Sequence, residues 1–543
     1  MYLNLDGFEL DPQGSQRLRE LLSNSSSPAA DALISHLIDL GAKYAIVEDP
    51  YIDKDYSSDY QAFYSSAFKD YERTTRRAHI FASDVREKFG ADLAKLLEGE
   101  DVDESYLGYI VIRPLEQGPI GRTVLKFPKS TDTLRVRPMV RAPFNLHLFG
   151  RGFCVNGAPF IQQDHRISAC AQAALWIADR VLHVRHQHTG WHSMAEITNL
   201  ATTPTDAELT YELPAGSMGL SPLHVIRALK GLGHQPLGYY LGDKSKPEKD
   251  TAEQAIAPSL PAAEVVFRYL DSGLPVILGV ITPDMAHAIT AVGYVESTAG
   301  QCRPGTTYDS FVRAFIVHDD QRGPYRYMPL TKADVDFLPR DRLLIDNGKV
   351  LVVDEVISHI FVPLPSRVLI RAEKAEVMAH DHLVRQASAA SEGLIAEIES
   401  EEAKGKVRDF HQRVTNKLLL RRTYLTSAGR YRHHLAKSGQ QVEIGSTMIT
   451  RVLPHFVWVT EFLDPESALH PEHHYRPIIG HAVVNATSTG GPNSDLLMIH
   501  SPHVLVERDI NSKDPKKREQ ASVFEEDGPY AGRVRLESKL RAR

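Results

Sequence analysis

Along the chain, apolar positions change rhythm in a way that predicts mixed helices and strands. In "SPAADALISHLIDLGAKYAIVEDPYID" they recur at helical spacing up to Gly41 and then run together, so a helix followed by a short strand is expected. In "SDYQAFYSSAFKDYERTTRRAHIFASDVREKFG" Tyr60, Phe63, Tyr64, Phe68 and Tyr71 fall near a helical period, which predicts a core-facing aromatic stripe. "YLGYIVIRPL" alternates as far as Pro114 and "GPIGRTVLKFP" follows after a turn, together predicting a β-hairpin. Arg113 and Arg122 flank that turn, with solvated or salt-bridged side chains as the default reading and anion binding as the alternative.

The middle of the chain places helices first. "SACAQAALWIA" and "GLSPLHVIRALKGLGHQPLGYY" each read as a helix, the second with a turn and strand after it, and "AAEVVFRYLDSGLPVILGVIT" reads as helix, turn and buried strand. "HAITAVGYV" and "RAFIVHDDQRGPY" add two more strands. Helices followed by a largely antiparallel sheet make this α+β rather than doubly wound. Beyond it lie short strands in "KVLVVDEVISHIFVPLP", a long polar helical stretch from "VLIRAEKAEV" to "KLLLRR", strands "HFVWVTEFL" and "IIGHAVVNATS", and a charged tail. Three regions are therefore expected: an N-terminal α+β domain over 1–145, a helix-plus-antiparallel-sheet domain over 146–335, and a C-terminal helix and β region over 336–543.

Composition narrows the class. The 543 residues are 42% apolar and 24% charged with a net charge of -7, which gives no general reason to expect a nucleic-acid partner. Three cysteines, Cys154, Cys170 and Cys302, are too few and too scattered for a disulfide framework. No apolar run approaches a membrane span, and "MYLNLDGFELDPQGSQ" lacks the basic flank and apolar core of a secretory signal, so no membrane partner and a cytoplasmic location are expected.

Candidate chemistry centres on Cys170. A lone cysteine ordinarily packs as a small hydrophobe. Here, however, it stands in the first turn of a strongly helical run with Ser168 as the expected N-cap, and unpaired backbone N–H groups at a helix start favour a thiolate. Thiol hydrolysis also needs an imidazole, a polar side chain to orient it, and donors for an oxyanion. His287 at the head of "HAITAVGY", Asp319 at the end of "FIVHDD", and Gln162 or Gln163 upstream of the cysteine supply these types. Asp319 shares strand parity with Phe315 and Val317, while Asp320 competes for the same role and is otherwise expected to face the turn at Gly323 and Pro324 as a solvated carboxylate.

A helix-opening cysteine after a glutamine, then "PVILGV" leading to "HAITAVGY", then a strand ending in aspartate, resembles the papain-like cysteine peptidases. Within them it is most similar to the bacterial double-glycine peptidases that process bacteriocin leaders and to their uncharacterised relatives. The resemblance spans roughly residues 150–330 and implies a papain-like core with Cys170 as nucleophile, His287 as general base, Asp319 as orienting group and Gln163 as oxyanion donor. The cysteine stands in Ala-Cys-Ala where that family often has Asp-Cys-Gly or Tyr-Cys-Gly, and Gln163 lies one residue farther from it than is usual there, so Gln162 or backbone N–H groups stay open as donors.

Two histidine-rich stretches, with His183, His186, His188 and His192 in one and His470, His473, His474 and His481 in the other, lack cysteine pairs or a His-Glu-x-x-His pattern, so unliganded histidines are expected. No metal and no cofactor are called for. "KDPKKRE" near the C-terminus reads as a solvated basic loop. The expectation is thus a cysteine peptidase acting on a peptide or isopeptide bond of a protein or peptide substrate. A transglutaminase-like acyl transferase and an inactive papain-fold binding scaffold are the alternatives.

Overall fold

The computed structural model describes residues 4–22, 27–85, 101–164, 169–186, 190–203, 219–242, 261–282, 285–297, 307–389, 391–416, 418–437, 449–465, 478–488, 495–508 and 519–524. Ser168, Cys302, His188, His470, His473 and His474 lie outside the described residues, as do most of the basic loop and the end of the tail. The fold is mixed α+β with antiparallel sheets, and its contacts separate two units. The first comprises residues 1–263, 273–296 and 313–364, and the second residues 264–272, 297–312 and 365–543.

A seven-stranded sheet opens the first unit. Its strands β1 (Asn4–Glu9), β2 (Tyr44–Tyr51), β3 (Thr75–Phe81), β4 (Tyr106–Ile112), β5 (Ile120–Leu125), β7 (Ala142–Leu148) and β8 (Arg151–Phe160) run in the order β1-β2-β3-β4-β5-β8-β7, while β6 (Leu134–Arg137) pairs elsewhere. Strands on both sides of residue 145 thus share one sheet. The helices of this region are α1 (Pro12–Leu22), α2 (Pro28–Leu40), α3 (Lys54–Ala62) and α4 (Asp101–Ser105). The helix read before Gly41 is α2: the Ser27 side chain accepts from the Ala30 N–H at its start. Gly41 closes it at φ 77°, a left-handed conformation that costs glycine little. The expected hairpin is β4 and β5.

The aromatic stripe is only partly as expected. Tyr64 is buried, and Tyr60, Phe63 and Tyr71 pack against the same apolar cluster, but Phe68 is fully exposed. The reason is local: α3 ends at Ala62 and a 3-10 turn at Tyr64–Ser66 breaks the helical period before Phe68 is reached.

The second sheet of this unit is accompanied by four helices, α5 (Cys170–His186), α6 (Met194–Thr202), α7 (Pro222–Gly231) and α8 (Ala262–Asp271), the last of which runs on into the second unit. Its strands β9 (Gln235–Tyr240), β10 (Val276–Thr282), β11 (Met285–Ser297), β12 (Val312–Asp319) and β13 (Gly323–Pro329) are joined by β16 (Ile357–Leu364) in the order β13-β12-β11-β10-β16-β9, and β6 pairs with β11. A two-stranded hairpin of β14 (Ile345–Asp346) and β15 (Lys349–Val350) and a short helix α9 (Val353–Val356) precede β16. Residues 357–364 therefore return to the sheet that carries His287.

In the second unit α10 (Ala372–Ala389), α11 (Ser391–Ala396), α12 (Glu401–Thr415) and α13 (Ala428–Lys437) accompany a meander of β17 (Leu420–Ser427), β18 (Phe456–Leu463), β19 (Ile478–Asn485), β20 (Leu496–Ser501), β21 (Val504–Arg508) and β22 (Glu519–Val523). "LRR" at 420–422, read from sequence as the end of a helix, is instead the start of β17. Arg422 is buried there, with its guanidinium 2.6 Å from Asp271 Oδ2 and 3.0 Å from Glu461 Oε2, so tertiary charge pairing overrides the helical pattern. No helix among the described residues is long and apolar enough to cross a membrane.

Candidate active site

The cysteine helix α5 begins where its backbone chemistry places it. Ala169 O accepts from the Ala173 N–H at 3.2 Å, and the Gln172 side chain reaches back to accept from the Ala169 N–H, also at 3.2 Å. Ala169 is thus the N-cap, with Gln172 supplying the return half of a capping box, and Cys170 is the first helical residue. From Ala171 to Leu182 the helix is buried throughout. Trp176 and Ile177 join Ile277 and Phe361 of the neighbouring sheet in one apolar cluster, which fixes α5 against that sheet. The Thr290 hydroxyl of β11 donates to Ala174 O at 3.1 Å, tying the histidine strand to the cysteine helix.

A second anchor comes from the N-terminal region. Asp55 on α3 accepts from the Trp176 indole N–H at 3.1 Å and from Arg180 at 2.6 Å, and Arg122 on β5 pairs with Asp53 at 2.8 Å and with Asp55 at 3.1 Å. Arg122 is therefore a structural arginine. Arg113 is another, since its guanidinium donates to Gly118 O and, at 2.6 Å, to Gln162 O. Sequence reasoning missed Asp55; the only signal was an aspartate on the face of α3 that also carries Tyr56 and Asp59, both buried.

The structure brings Cys170, His287 and Asp319 together. The half-buried Cys170 thiol is close enough to His287 to help raise its pKa, and the ring's Nε2 lies 3.1 Å from Asp319 Oδ1 and 3.4 Å from Asp320 Oδ1. His287, Asp319 and Asp320 are all buried, at 5%, 0% and 2% exposure, which excludes the solvated Asp320 expected from strand parity. The pairing register slips between Val317 and Asp319, and β12 ends at Asp319, so Asp320 sits in the turn and strict alternation no longer governs it.

Electrostatics separates the two carboxylates. Burial works against ionisation of Asp319, but the charge and hydrogen bond of His287, the charge of Arg322 and the Gln321 N–H more than offset it and hold the carboxyl below its ordinary range. Asp320 is pushed the other way, by burial and by repulsion from Asp319, against the attraction of His287. For His287, burial disfavours the charged ring, yet Asp319, then Cys170 and Asp320, raise it well above the ordinary imidazole range.

Asp319 is locked by groups that sequence reading did not single out. Its Oδ1 accepts from the Gln321 and Arg322 N–H groups at 2.9 and 3.0 Å, an Asx turn, and Arg322 Nη1 donates to Oδ2 at 3.1 Å while also pairing with Asp346 on β14. The legible signal was the Asp-x-x-Arg spacing across a turn.

The other expected residues fall out as follows. Gln163 is buried in the segment between β8 and α5, where the chain passes so close to Gly118 that a Cβ there would stand 2.2 Å from Gln163 O. The Gln162 side-chain oxygen accepts from the Ile120 N–H at 3.3 Å and so is engaged with β5. Cys154 is exposed on β8. His192 Nδ1 lies 3.2 Å from Asp179 Oδ2, and buried His481 hydrogen-bonds the Tyr431 hydroxyl at 2.8 Å. Among the described residues, the group whose spacing suits a metal ion is not in either histidine-rich stretch but is His287 with Asp319 and Asp320, their ligand atoms all within 4.8 Å of one another.

No family model, curated protein or solved structure matches this chain.

Proposed function

We propose that this protein is a thiol hydrolase of papain-like architecture that cleaves a peptide or isopeptide bond. The observation that carries the reading is the meeting of three groups: His287, buried and 3.1 Å from buried Asp319, and the half-buried thiol of Cys170 on the first residue of a helix, which acts on the same ring. A helix packed by its apolar face on an antiparallel sheet, with the base on one strand and the acid at the end of the next, supports the papain-like arrangement.

In this reading His287 takes the Cys170 proton as sulfur attacks the substrate carbonyl carbon. The C–N bond then breaks, with the proton passed from His287 to the departing amine, and an acyl-enzyme remains. Water adds to the thioester carbon, giving its proton back to His287, and the carbon–sulfur bond breaks to release the acid and restore the thiol. Asp319 holds the ring in orientation and balances its charge. The Cys170 N–H at the helix start and the Gln163 side chain are the proposed oxyanion donors. A protein or peptide is the proposed substrate and the cytoplasm the proposed location.

The test is alkylation of the full-length protein by an iodoacetamide-type probe at pH 6, read by peptide mass spectrometry. Cys170 is expected to label well ahead of Cys154, and His287→Ala to abolish that preference. Equal labelling of the two thiols would remove the basis of the reading. Comparison of cellular peptides after expression of the wild type and Cys170→Ala then identifies cleaved bonds, with added amine distinguishing hydrolysis from acyl transfer.

A further inference from the structure

We propose that His287, Asp319 and Asp320 form a binding site for one Zn2+ ion, and that its occupation silences Cys170. The silencing rests on the thiol-hydrolase reading; the binding does not.

Zinc ligands at about 2.0–2.2 Å in a tetrahedral shell lie about 3.3–3.6 Å from each other. The Nε2-to-carboxylate distances of 3.1 and 3.4 Å are close to that spacing before any adjustment. The donor set, one imidazole and two carboxylates, is of the borderline kind that zinc accepts. Asp319 is already held in place, with Oδ1 accepting from the Gln321 and Arg322 N–H groups and Oδ2 from the Arg322 guanidinium, the kind of supporting contact that orients a metal ligand.

The independent observation is Asp320. It is 2% exposed, faces His287, and neither of its carboxylate oxygens has a hydrogen-bond partner. A buried carboxylate left without hydrogen bonds is costly; the charge Asp320 faces, His287 at 3.4 Å, is shared with Asp319, and a metal ion would serve both carboxylates. The catalytic line needs one carboxylate on the ring, and Asp319 fills that place. The second, Asp320, has no work in the hydrolytic sequence, whereas a divalent cation between the two carboxylates and the ring uses all three groups.

Binding displaces the Nε2 proton of His287, and any proton on Asp320, to water. One of the two protonation sites of the ring then carries the metal, so the ring no longer becomes the imidazolium that its role as base requires.

Calorimetric titration of the full chain with zinc chloride tests this, using Cys170→Ala and Cys170→Ala/Asp320→Asn. The 25 histidines of the chain set a weak background, so the comparison between variants is what counts. A one-to-one step present in Cys170→Ala and weakened at least about ten-fold in the double variant is expected. Superimposable isotherms would overturn the proposal, as would loss of the step in Cys170→Ala itself relative to wild type, since the thiolate would then be the ligand. Should circular dichroism show that the double variant does not fold, anomalous scattering from zinc-soaked crystals of Cys170→Ala decides: a peak between His287 and Asp320 supports the site, and zinc only at surface histidines overturns it. Failure of wild-type Cys170 to label with iodoacetamide would end the hydrolase reading without touching the zinc isotherm.

Discussion

Asp319 and Asp320 are consecutive in the chain, yet each turns an oxygen to the same atom, His287 Nε2, at 3.1 and 3.4 Å. Their supports differ. Asp319 accepts two backbone N–H groups and an arginine, while Asp320 accepts no hydrogen bond at either oxygen. Asp319→Asn is therefore expected to slow alkylation of Cys170 at pH 6 by about 100-fold and Asp320→Asn by less than about five-fold. The reverse order would move the orienting role to Asp320.

Arg322 joins Asp319 to Asp346 at 12% side-chain exposure. Arg322→Ala leaves a fully buried carboxylate without its fixed cation, so a loss of about 2–4 kcal/mol in urea unfolding is expected, together with slower labelling of Cys170. An unchanged unfolding midpoint would show that the Asx turn alone suffices to hold Asp319.

Beneath the cysteine helix, Asp55 holds both Trp176 and Arg180. Asp55→Ala strands a buried guanidinium and is expected to destabilise by about 3–5 kcal/mol. Trp176→Phe removes one hydrogen bond with little loss of volume and is expected to cost about 1–2 kcal/mol. Chemical denaturation of the two variants against the parent orders them; equal costs would mean that Arg180 finds another partner.

The Asp179–His192 pair predicts a pH window. The hydrogen bond and charge of Asp179 raise His192 above its ordinary 6.5, against burial, so its contribution is complete below 6.5 and fades as pH rises through the folded value. Burial raises Asp179, but the hydrogen bond from His192 and the nearby His234 imidazole outweigh it and leave the carboxyl below 3.8; its contribution is present above 3.8 and fades as pH falls through the folded value. His192→Gln is thus expected to lower the unfolding free energy by about 0.5–1 kcal/mol at pH 5.5, with the deficit shrinking as pH rises through the folded value. A deficit independent of pH would exclude this origin.

Gly118 takes φ 71° and lies against the backbone of Gln163 and Asp164. Gly118→Ala meets both a left-handed backbone and a 2.2 Å approach to Gln163 O, so a cost of about 1–3 kcal/mol is expected by thermal unfolding. A neutral result would mean that this segment shifts freely.

The sequence by itself determined what is local. The α2 stop at Gly41, the helix that opens at Cys170, the hairpin of β4 and β5, and His287 and Asp319 on successive strands follow from side-chain period and turn chemistry within a few residues. Only the tertiary structure decided the rest. Asp320 is buried because β12 slips register and ends at Asp319, and pairing register is set by the partner strand rather than by the alternation of one strand. The return of β16 to the histidine sheet and the start of β17 at Leu420 depend on which strands find each other across the chain, which no local period encodes. The same holds for Asp55 under Trp176, 121 residues away, and for Arg322 with Asp346, 24 residues away: an isolated charge reads as solvated until the fold removes its water and supplies a counter-charge.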